Sequence, residues 1–166
     1  MLTDGNRYNA IAALARAGRF GPMIGGDAAL TLAGSTPGAR AAAIGEMAPY
    51  LRAGMRGPDV AAILGTAQVL SEGNRYNAVA ALGRAARLPQ AMTGVEASQM
   101  LAGATQGARA AAVGEMAAVF KADLSGREGE AALGTSRELS EGNRYNAIAA
   151  LARAGRFGPS IGGFHS

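Results

Sequence analysis

Arginine residues that recur at one position of a repeated motif carry the strongest chemical signal in this sequence. The motif Gly-x-Arg begins at Gly5, Gly38, Gly73, Gly107 and Gly142, at steps of 33, 35, 34 and 35 residues. It places five arginines at equivalent positions: Arg7, Arg40, Arg75, Arg109 and Arg144. A guanidinium group offers several donors in a fixed fork, which suits phosphate and carboxylate oxygens. Beside the free amides of a helix start, such a ladder could follow a nucleic-acid backbone.

A structural role is the alternative for the same arginines. The residues four and seven positions after each Arg are apolar in every copy, as Val79 and Leu82 are after Arg75. On a helix these positions share one face with the Arg, so the Arg points toward the core. A cation at a helix start opposes the helix dipole and needs a compensating partner. We therefore favour an inter-repeat ladder, in which each guanidinium bonds to carbonyls at a neighbouring helix end.

A second basic column lies twelve residues after the motif arginines. It consists of Arg19, Arg52, Arg87, Lys121 and Arg156. These positions are about 120° around the helix from the core face, so we expect them to be exposed. Cations at helix C-termini are stabilising in themselves. The column is also a candidate docking strip for an acidic partner.

Other polar residues give weaker signals. Tyr8, Tyr76 and Tyr145 follow the Arg in the odd copies only, and they could stack on bases or pack against the adjacent repeat. Glu46 and Glu115 are single carboxylates at equivalent positions of two repeats. Duplication of the repeat explains their presence better than a role as an acid–base pair does. The chain has one histidine, His165, and no cysteine. No catalytic, metal or cofactor motif is recognisable, and we expect neither an enzyme nor a small-molecule site.

Two helices per repeat must position these side chains. Each motif opens a long, Ala-rich helix, and an acidic residue opens a shorter helix between successive long ones. We expect Pro49 to bend or shorten the second long helix. We expect the second and fourth short helices to continue to Leu70 and Leu139, because apolar residues there extend the apolar face of each short helix. No strand pattern is visible.

The sequence therefore predicts an all-α chain, a single domain over residues 1–166. Within it we expect a right-handed α-solenoid of about five helical hairpins of 33–35 residues, overlain by a double repeat of 68–69 residues. The plan resembles tetratricopeptide arrays in length, without their bulky aromatic positions. It is also similar to TAL-effector-like repeats, where a Gly-rich start of the long helix touches DNA phosphate and Gly-x-Arg has the matching place. The alternating spacing departs from that family's register of one unit per base.

Our leading prediction is a non-enzymatic scaffold that binds protein, or itself head to tail, because we find no polar cap at either end. The alternative is DNA binding through the arginine ladder. The chain's formal net charge of +4 is a mild bias toward acidic partners. We see no signal peptide and no apolar run near the roughly 20 residues of a membrane span, so we expect a cytoplasmic protein without membrane contact.

Overall fold

The residues that the structure describes fold entirely into helices and their connections. In a computed structural model, the described residues are 4–23, 25–33, 36–66, 68–70, 72–102, 104, 106–135, 137 and 139–157. They form nine α-helices and two short 3-10 stretches and contain no strand, which confirms the all-α class. None of the helices in these ranges combines the length and the hydropathy that crossing a membrane requires.

Long and short helices alternate along the described chain, as the repeat predicts. The long helices are α1 (Asp4–Arg16), α3 (Pro37–Met47), α5 (Glu72–Arg84), α7 (Gln106–Met116) and α9 (Glu141–Arg153). The short helices are α2 (Gly25–Leu32), α4 (Gly57–Leu64), α6 (Gly94–Met100) and α8 (Gly126–Leu133). Each motif arginine lies in the first two turns of a long helix.

The even long helices are shorter than the odd ones. Both end at a methionine, Met47 or Met116, and continue as the 3-10 stretches Ala48–Tyr50 and Ala117–Val119. We expected Pro49 to shorten α3, but α7 ends at the equivalent residue with Ala118 in place of the proline. Proline is therefore compatible with this ending and is not required for it.

The short helices α4 and α8 stop earlier than predicted. The expectation that they run on to Leu70 and Leu139 is wrong, because Gly65 and Gly134 adopt φ values of +79° and +83° that end each helix. A separate turn follows, in which the Leu70 amide donates to the Thr66 carbonyl at 3.0 Å.

The two kinds of helix pack in two sets. The long helices contact one another in the order α1, α3, α5, α7 and α9, and the short ones in the order α2, α4, α6 and α8. The predicted apolar face of the long helices is buried, as Val79 and Leu82 are in α5. The exceptions are Leu14 in α1, which is 46% exposed, and Ile148 in α9, which is half-buried.

The loops that follow successive long helices touch one another. The Arg52 amide donates to the Met23 carbonyl at 2.7 Å, and the Lys121 amide to the Met92 carbonyl at 2.9 Å. The Leu124 amide donates to the Arg156 carbonyl at 2.8 Å. These isolated bridges bring the C-terminal ends of neighbouring long helices onto one edge of the described molecule.

Candidate functional site

Three of the motif arginines are buried and bonded to main-chain carbonyls. Arg40, Arg75 and Arg109 have exposed fractions of 5%, 0% and 3%. Arg75 donates through Nε to the Leu70 carbonyl at 2.8 Å, through one terminal nitrogen to Met100 at 2.6 Å and through the other to Gly65 at 2.7 Å. One guanidinium thus joins the turn after α4 to the end of α6, the next short helix.

The arginines of the even helices make an equivalent connection. Arg40 donates to the Leu32 carbonyl at 3.3 Å and to the Ile63 carbonyl at 2.9 Å, so it joins the ends of α2 and α4. Arg109 donates to the Leu101 carbonyl at 3.3 Å and to the Leu133 carbonyl at 2.9 Å, which joins the ends of α6 and α8. Carbonyls at helix C-termini carry partial negative charge and satisfy a buried cation without a carboxylate.

Burial changes the protonation energy of these groups without neutralising them. Loss of water lowers the pKa of Arg75 to about 10, and the nearby charge of Arg40 adds to that shift. Burial also lowers the pKa of Arg40. A pKa near 10 leaves Arg75 charged at neutral pH, and each of its three nitrogens donates to a carbonyl. Because Arg40, Arg75 and Arg109 are buried, their guanidinium groups are not accessible to a phosphate.

The glycines that end α4 and α8 make room for the guanidinium groups. The Gly65 carbonyl accepts from Arg75, and a Cβ on Gly65 would meet the Val69 side chain and lie 3.1 Å from the Arg40 Cζ. A Cβ on Gly134 would lie 2.9 Å from the Arg109 Cζ. Glycine is thus required here both by the left-handed φ and by the close approach of the guanidinium.

The remaining two motif arginines differ from these three. The side chain of Arg7 lies outside what the structure describes. Arg144 is half-buried and donates to the Gly134 and Leu139 carbonyls at 3.2 and 3.1 Å. Its other terminal nitrogen forms an ion pair with the exposed Glu130 carboxylate at 3.0 Å.

The second basic column divides into bonded and exposed members. Arg87 is half-buried and donates to the Leu51 and Pro49 carbonyls of the preceding repeat at 2.7 and 3.0 Å. Arg156 likewise donates to carbonyls of the preceding repeat, those of Ala117 and Ala118 at 3.1 and 2.7 Å. Lys121 pairs with Glu128 at 3.1 Å. Arg19 and Arg52 are exposed. We expected all five to be exposed. The difference arises because carbonyls of the neighbouring repeat accept from Arg87 and Arg156, and the Glu128 carboxylate pairs with Lys121.

Sequence reasoning missed a further set of arginines on the same edge. Arg16, Arg84 and Arg153 occupy the last turn of the odd long helices and are exposed. Each follows its motif arginine by nine residues, about 180° around the helix, and this spacing was the available signal. We call Arg16, Arg19, Arg52, Arg84 and Arg153 the basic edge, because all five are exposed cations at or just after the C-terminal ends of long helices.

Two shallow grooves lie along the basic edge. One, of about 340 Å³, has Phe20, Pro22, Pro49, Tyr50 and Arg52 among its lining residues. The other, of about 300 Å³, lies between α3 and α5. Its lining residues are Gly45, Ala48, Pro49, Ala81, Arg84 and Ala85. The two grooves share Pro49 and combine apolar surface with an exposed arginine each.

Tyr8 and Tyr76 each lie against the next long helix. The Tyr8 hydroxyl donates to Glu46 at 3.5 Å, and the Tyr76 hydroxyl to Glu115 at 3.4 Å. Tyr145 is 70% exposed. His165 lies outside the described residues. The carboxylates that sequence reasoning left without a role are therefore hydrogen-bond partners of tyrosines.

Acidic residues at the start of the short helices also connect neighbouring repeats. Glu96 in α6 accepts from the Gly57 amide at 2.8 Å and from Arg56 at 2.6 Å. Burial raises the pKa of Glu96, but hydrogen bonds from the amides of Gly57 and Thr93 and from Arg56 outweigh it and hold the pKa below its ordinary value. The Glu128 pKa is also lowered, first by its hydrogen bond with Lys121.

Among the residues that the structure describes, no group of three or more His, Cys, Asp or Glu side chains converges as metal ligands. Comparison of the chain with protein-family models, with curated proteins and with solved structures finds no match.

Proposed function

We propose that this chain is a non-enzymatic helical-repeat scaffold, a right-handed α-solenoid whose basic edge binds an acidic segment of a partner protein. The observation that carries the proposal is the basic edge itself: five exposed arginines near the C-terminal ends of four of the five long helices, α1, α3, α5 and α9. The buried motif arginines and Arg87 serve the scaffold, since they bond to carbonyls of neighbouring repeats.

The grooves favour a protein partner. A peptide has both carboxylates for Arg52 and Arg84 and apolar side chains for the grooves beside them. Phe20 and Tyr50 supply aromatic surface in one groove, and alanines supply a flat floor in the other. Electrostatic attraction between such surfaces speeds association and sets the orientation of the partner.

The experiment measures binding of a fluorescent peptide of alternating Glu and Leu residues by anisotropy, at about 50 and 200 mM salt. The triple variant Arg16→Glu, Arg84→Glu, Arg153→Glu should weaken binding by at least about tenfold. The control variant Arg127→Glu, Arg137→Glu reverses two arginines that are also exposed and lie outside the basic edge. Equal affinity in the triple variant and the control would contradict the proposal.

A second candidate is binding to a nucleic-acid backbone through the same edge. The regular recurrence of Arg16, Arg84 and Arg153 favours it. A nucleic acid carries one phosphate charge in every nucleotide, so its backbone can bind a row of arginines. For this candidate, duplex DNA should bind more tightly than the peptide, and each arginine removed should reduce the salt slope by about one. Absence of DNA binding at low salt would exclude it.

Self-assembly belongs to the scaffold proposal as well. Light scattering over a concentration series measures it, with a growing average mass as the supporting result. A constant monomer mass at high concentration would count against self-assembly of the chain.

A further inference from the structure

The loop after α3 and the loop after α7 occupy equivalent positions in the repeat. Leu51, after α3, forms an isolated bridge with Met23, and Phe120, after α7, forms the same kind of bridge with Met92. The two loops can therefore be compared residue by residue at a separation of 69 residues, from position 51 to position 120. Differences between them mark side chains that the shared architecture does not require.

The loop after α3 carries larger side chains than its counterpart. Pro49 and Tyr50 line the groove of about 340 Å³ together with Phe20 of the loop after α1, and we call this groove the aromatic groove. At the positions equivalent to Pro49 and Tyr50 the chain has Ala118 and Val119. A proline ring and an aromatic ring thus line this groove where the equivalent loop has only small aliphatic side chains.

The cation of the aromatic groove is unpaired, whereas the equivalent cation forms an ion pair. Arg52 is exposed, and its side chain makes no hydrogen bond or ion pair with the residues that the structure describes. Lys121, its counterpart, pairs with Glu128 at 3.1 Å. Asp59 is the equivalent of Glu128, so an acid is present in the first repeat too, but Arg52 does not pair with it. The Arg52 guanidinium therefore has donors for a ligand.

Tyr50 supplies a second donor in the same groove. Its side chain is half-buried, and its hydroxyl makes no hydrogen bond within the described part of the chain. The hydroxyls of Tyr8 and Tyr76 differ, because each donates to a glutamate of the next long helix. A ligand in the groove can thus pack an apolar group on the Tyr50 ring and accept a hydrogen bond from its hydroxyl.

Arg87 holds the wall of the aromatic groove in place. Its guanidinium lines the groove and donates to the Leu51 and Pro49 carbonyls at 2.7 and 3.0 Å. The pyrrolidine ring of Pro49 also restricts its own φ. A groove that is held by such contacts before binding loses little conformational entropy when a ligand enters.

The charges around the groove favour an acidic ligand. Arg19 directly precedes Phe20, and Arg84 lines the neighbouring groove, which shares Pro49. Both arginines are exposed. Carboxylates that flank the bound segment therefore meet opposite charge, whereas lysines in the same places meet like charge.

We propose that the aromatic groove binds a proline-containing stretch of the acidic segment, in the polyproline II conformation. This inference rests on the proposed function and names the partner's chemistry. Polyproline II has no internal hydrogen bonds, so its carbonyls need donors, and its rings pack in shallow aromatic-lined grooves. The Tyr50 hydroxyl donates to one of these carbonyls, and Arg52 pairs with a carboxylate beside the prolines. An amphipathic helix needs an apolar groove several turns long, whereas only the loops after α1, α3 and α5 line this one.

Two fluorescent peptides of equal length and charge test the inference by anisotropy at one salt concentration. One alternates Glu with Pro, and the other alternates Glu with Leu. We expect the proline peptide to bind about tenfold more tightly, through ring packing and one hydrogen bond. Tyr50→Val should abolish this preference, and the fold accepts valine there because Val119 occupies the equivalent position. Tyr50→Phe should retain part of the preference, since the ring stays and the donor is lost.

The matched control is Val119→Ala, which trims the equivalent residue of the other loop and should leave both affinities unchanged. Equal binding of the two peptides, or a proline preference that survives Tyr50→Val, would overturn the proposal. A single-stranded oligonucleotide that bound more tightly than the proline peptide, and lost that affinity in Tyr50→Val, would also overturn it in favour of base stacking.

Failure of this inference and failure of the proposed function give different results. If the charge-reversed triple variant bound both peptides more weakly and the unaltered chain bound them equally, the proposed function would stand and this inference would fail. If charge reversal left a Tyr50-dependent proline preference and both affinities unchanged, the role of the basic edge would fail instead. Absence of binding by either peptide would refute both.

Discussion

Replacement of Arg75 by methionine tests the structural role of the buried arginines. The substitution removes three hydrogen bonds, to the Leu70, Met100 and Gly65 carbonyls at 2.6–2.8 Å, from a side chain with no exposed surface. Hydrogen bonds from a charged donor are worth about 1.5–3 kcal/mol each, which gives about 5–9 kcal/mol for three. Removing a buried charge returns several kcal/mol of desolvation. We expect Arg75→Met to lower the free energy of unfolding by about 3–5 kcal/mol, a large part of the stability of a typical domain.

Urea unfolding followed by circular dichroism measures this loss. The matched control is Arg84→Met, because Arg84 lies on the same helix, is exposed, and its side chain makes no hydrogen bond to the described residues. A surface change of this kind alters stability by about 0.5 kcal/mol or less. Arg75→Lys should also destabilise, since one ammonium group cannot span three diverging carbonyls. If Arg75→Met and Arg84→Met shifted the midpoint equally, the assignment of Arg75 as a tie between repeats would be refuted.

Three further substitutions test other contacts. Gly25→Ala should destabilise the fold by about 1–3 kcal/mol in the same assay, because the added Cβ would meet the Asp59 backbone. Gly26→Ala has open space around its Cβ and should be neutral or stabilising. Equal effects of the two substitutions would contradict the packing of the short helices. Gly134→Ala should cost about 1–3 kcal/mol, since φ is +83° and ψ is −174°, and an unchanged thermal midpoint would argue against this backbone. The folded-state pKa of Glu96 is lowered, so its contribution to stability is present above the ordinary value of about 4.3 and is lost as pH falls through the folded value. Glu96→Gln should therefore be less stable than wild type at pH 7, and this gap in unfolding free energy should shrink near pH 3; a gap independent of pH would contradict the lowered pKa.

Periodicity was sufficient to predict the helices and the core, because both are local properties of the repeat. The spacing of Val79 and Leu82 from Arg75 predicts their shared face, and both are buried. The ends of α4 and α8 could not be predicted in the same way. Val69 and Leu70 extend the apolar pattern past Gly65, but the left-handed backbone at that glycine overrides the pattern.

The repeat pattern also could not predict which cations bond to carbonyls of a neighbouring repeat and which are exposed. Arg87 and Arg84 lie three residues apart near one helix end, and only Arg87 reaches the Pro49 and Leu51 carbonyls. Those acceptors come from a loop 36–38 residues earlier in the sequence. Their position depends on how consecutive repeats stack, which local spacing does not specify.

The most direct test of the account follows the Nε–H groups of the arginines by NMR. We propose that Arg40, Arg75 and Arg109 connect neighbouring repeats inside the molecule and that ligands contact only the basic edge. We predict slow hydrogen exchange at Nε of Arg40, Arg75 and Arg109, with resonances that a bound acidic peptide leaves unchanged, and fast exchange at Arg84 and Arg153. Fast exchange at Arg75, or a shift of its resonance on addition of peptide or DNA, would contradict the account.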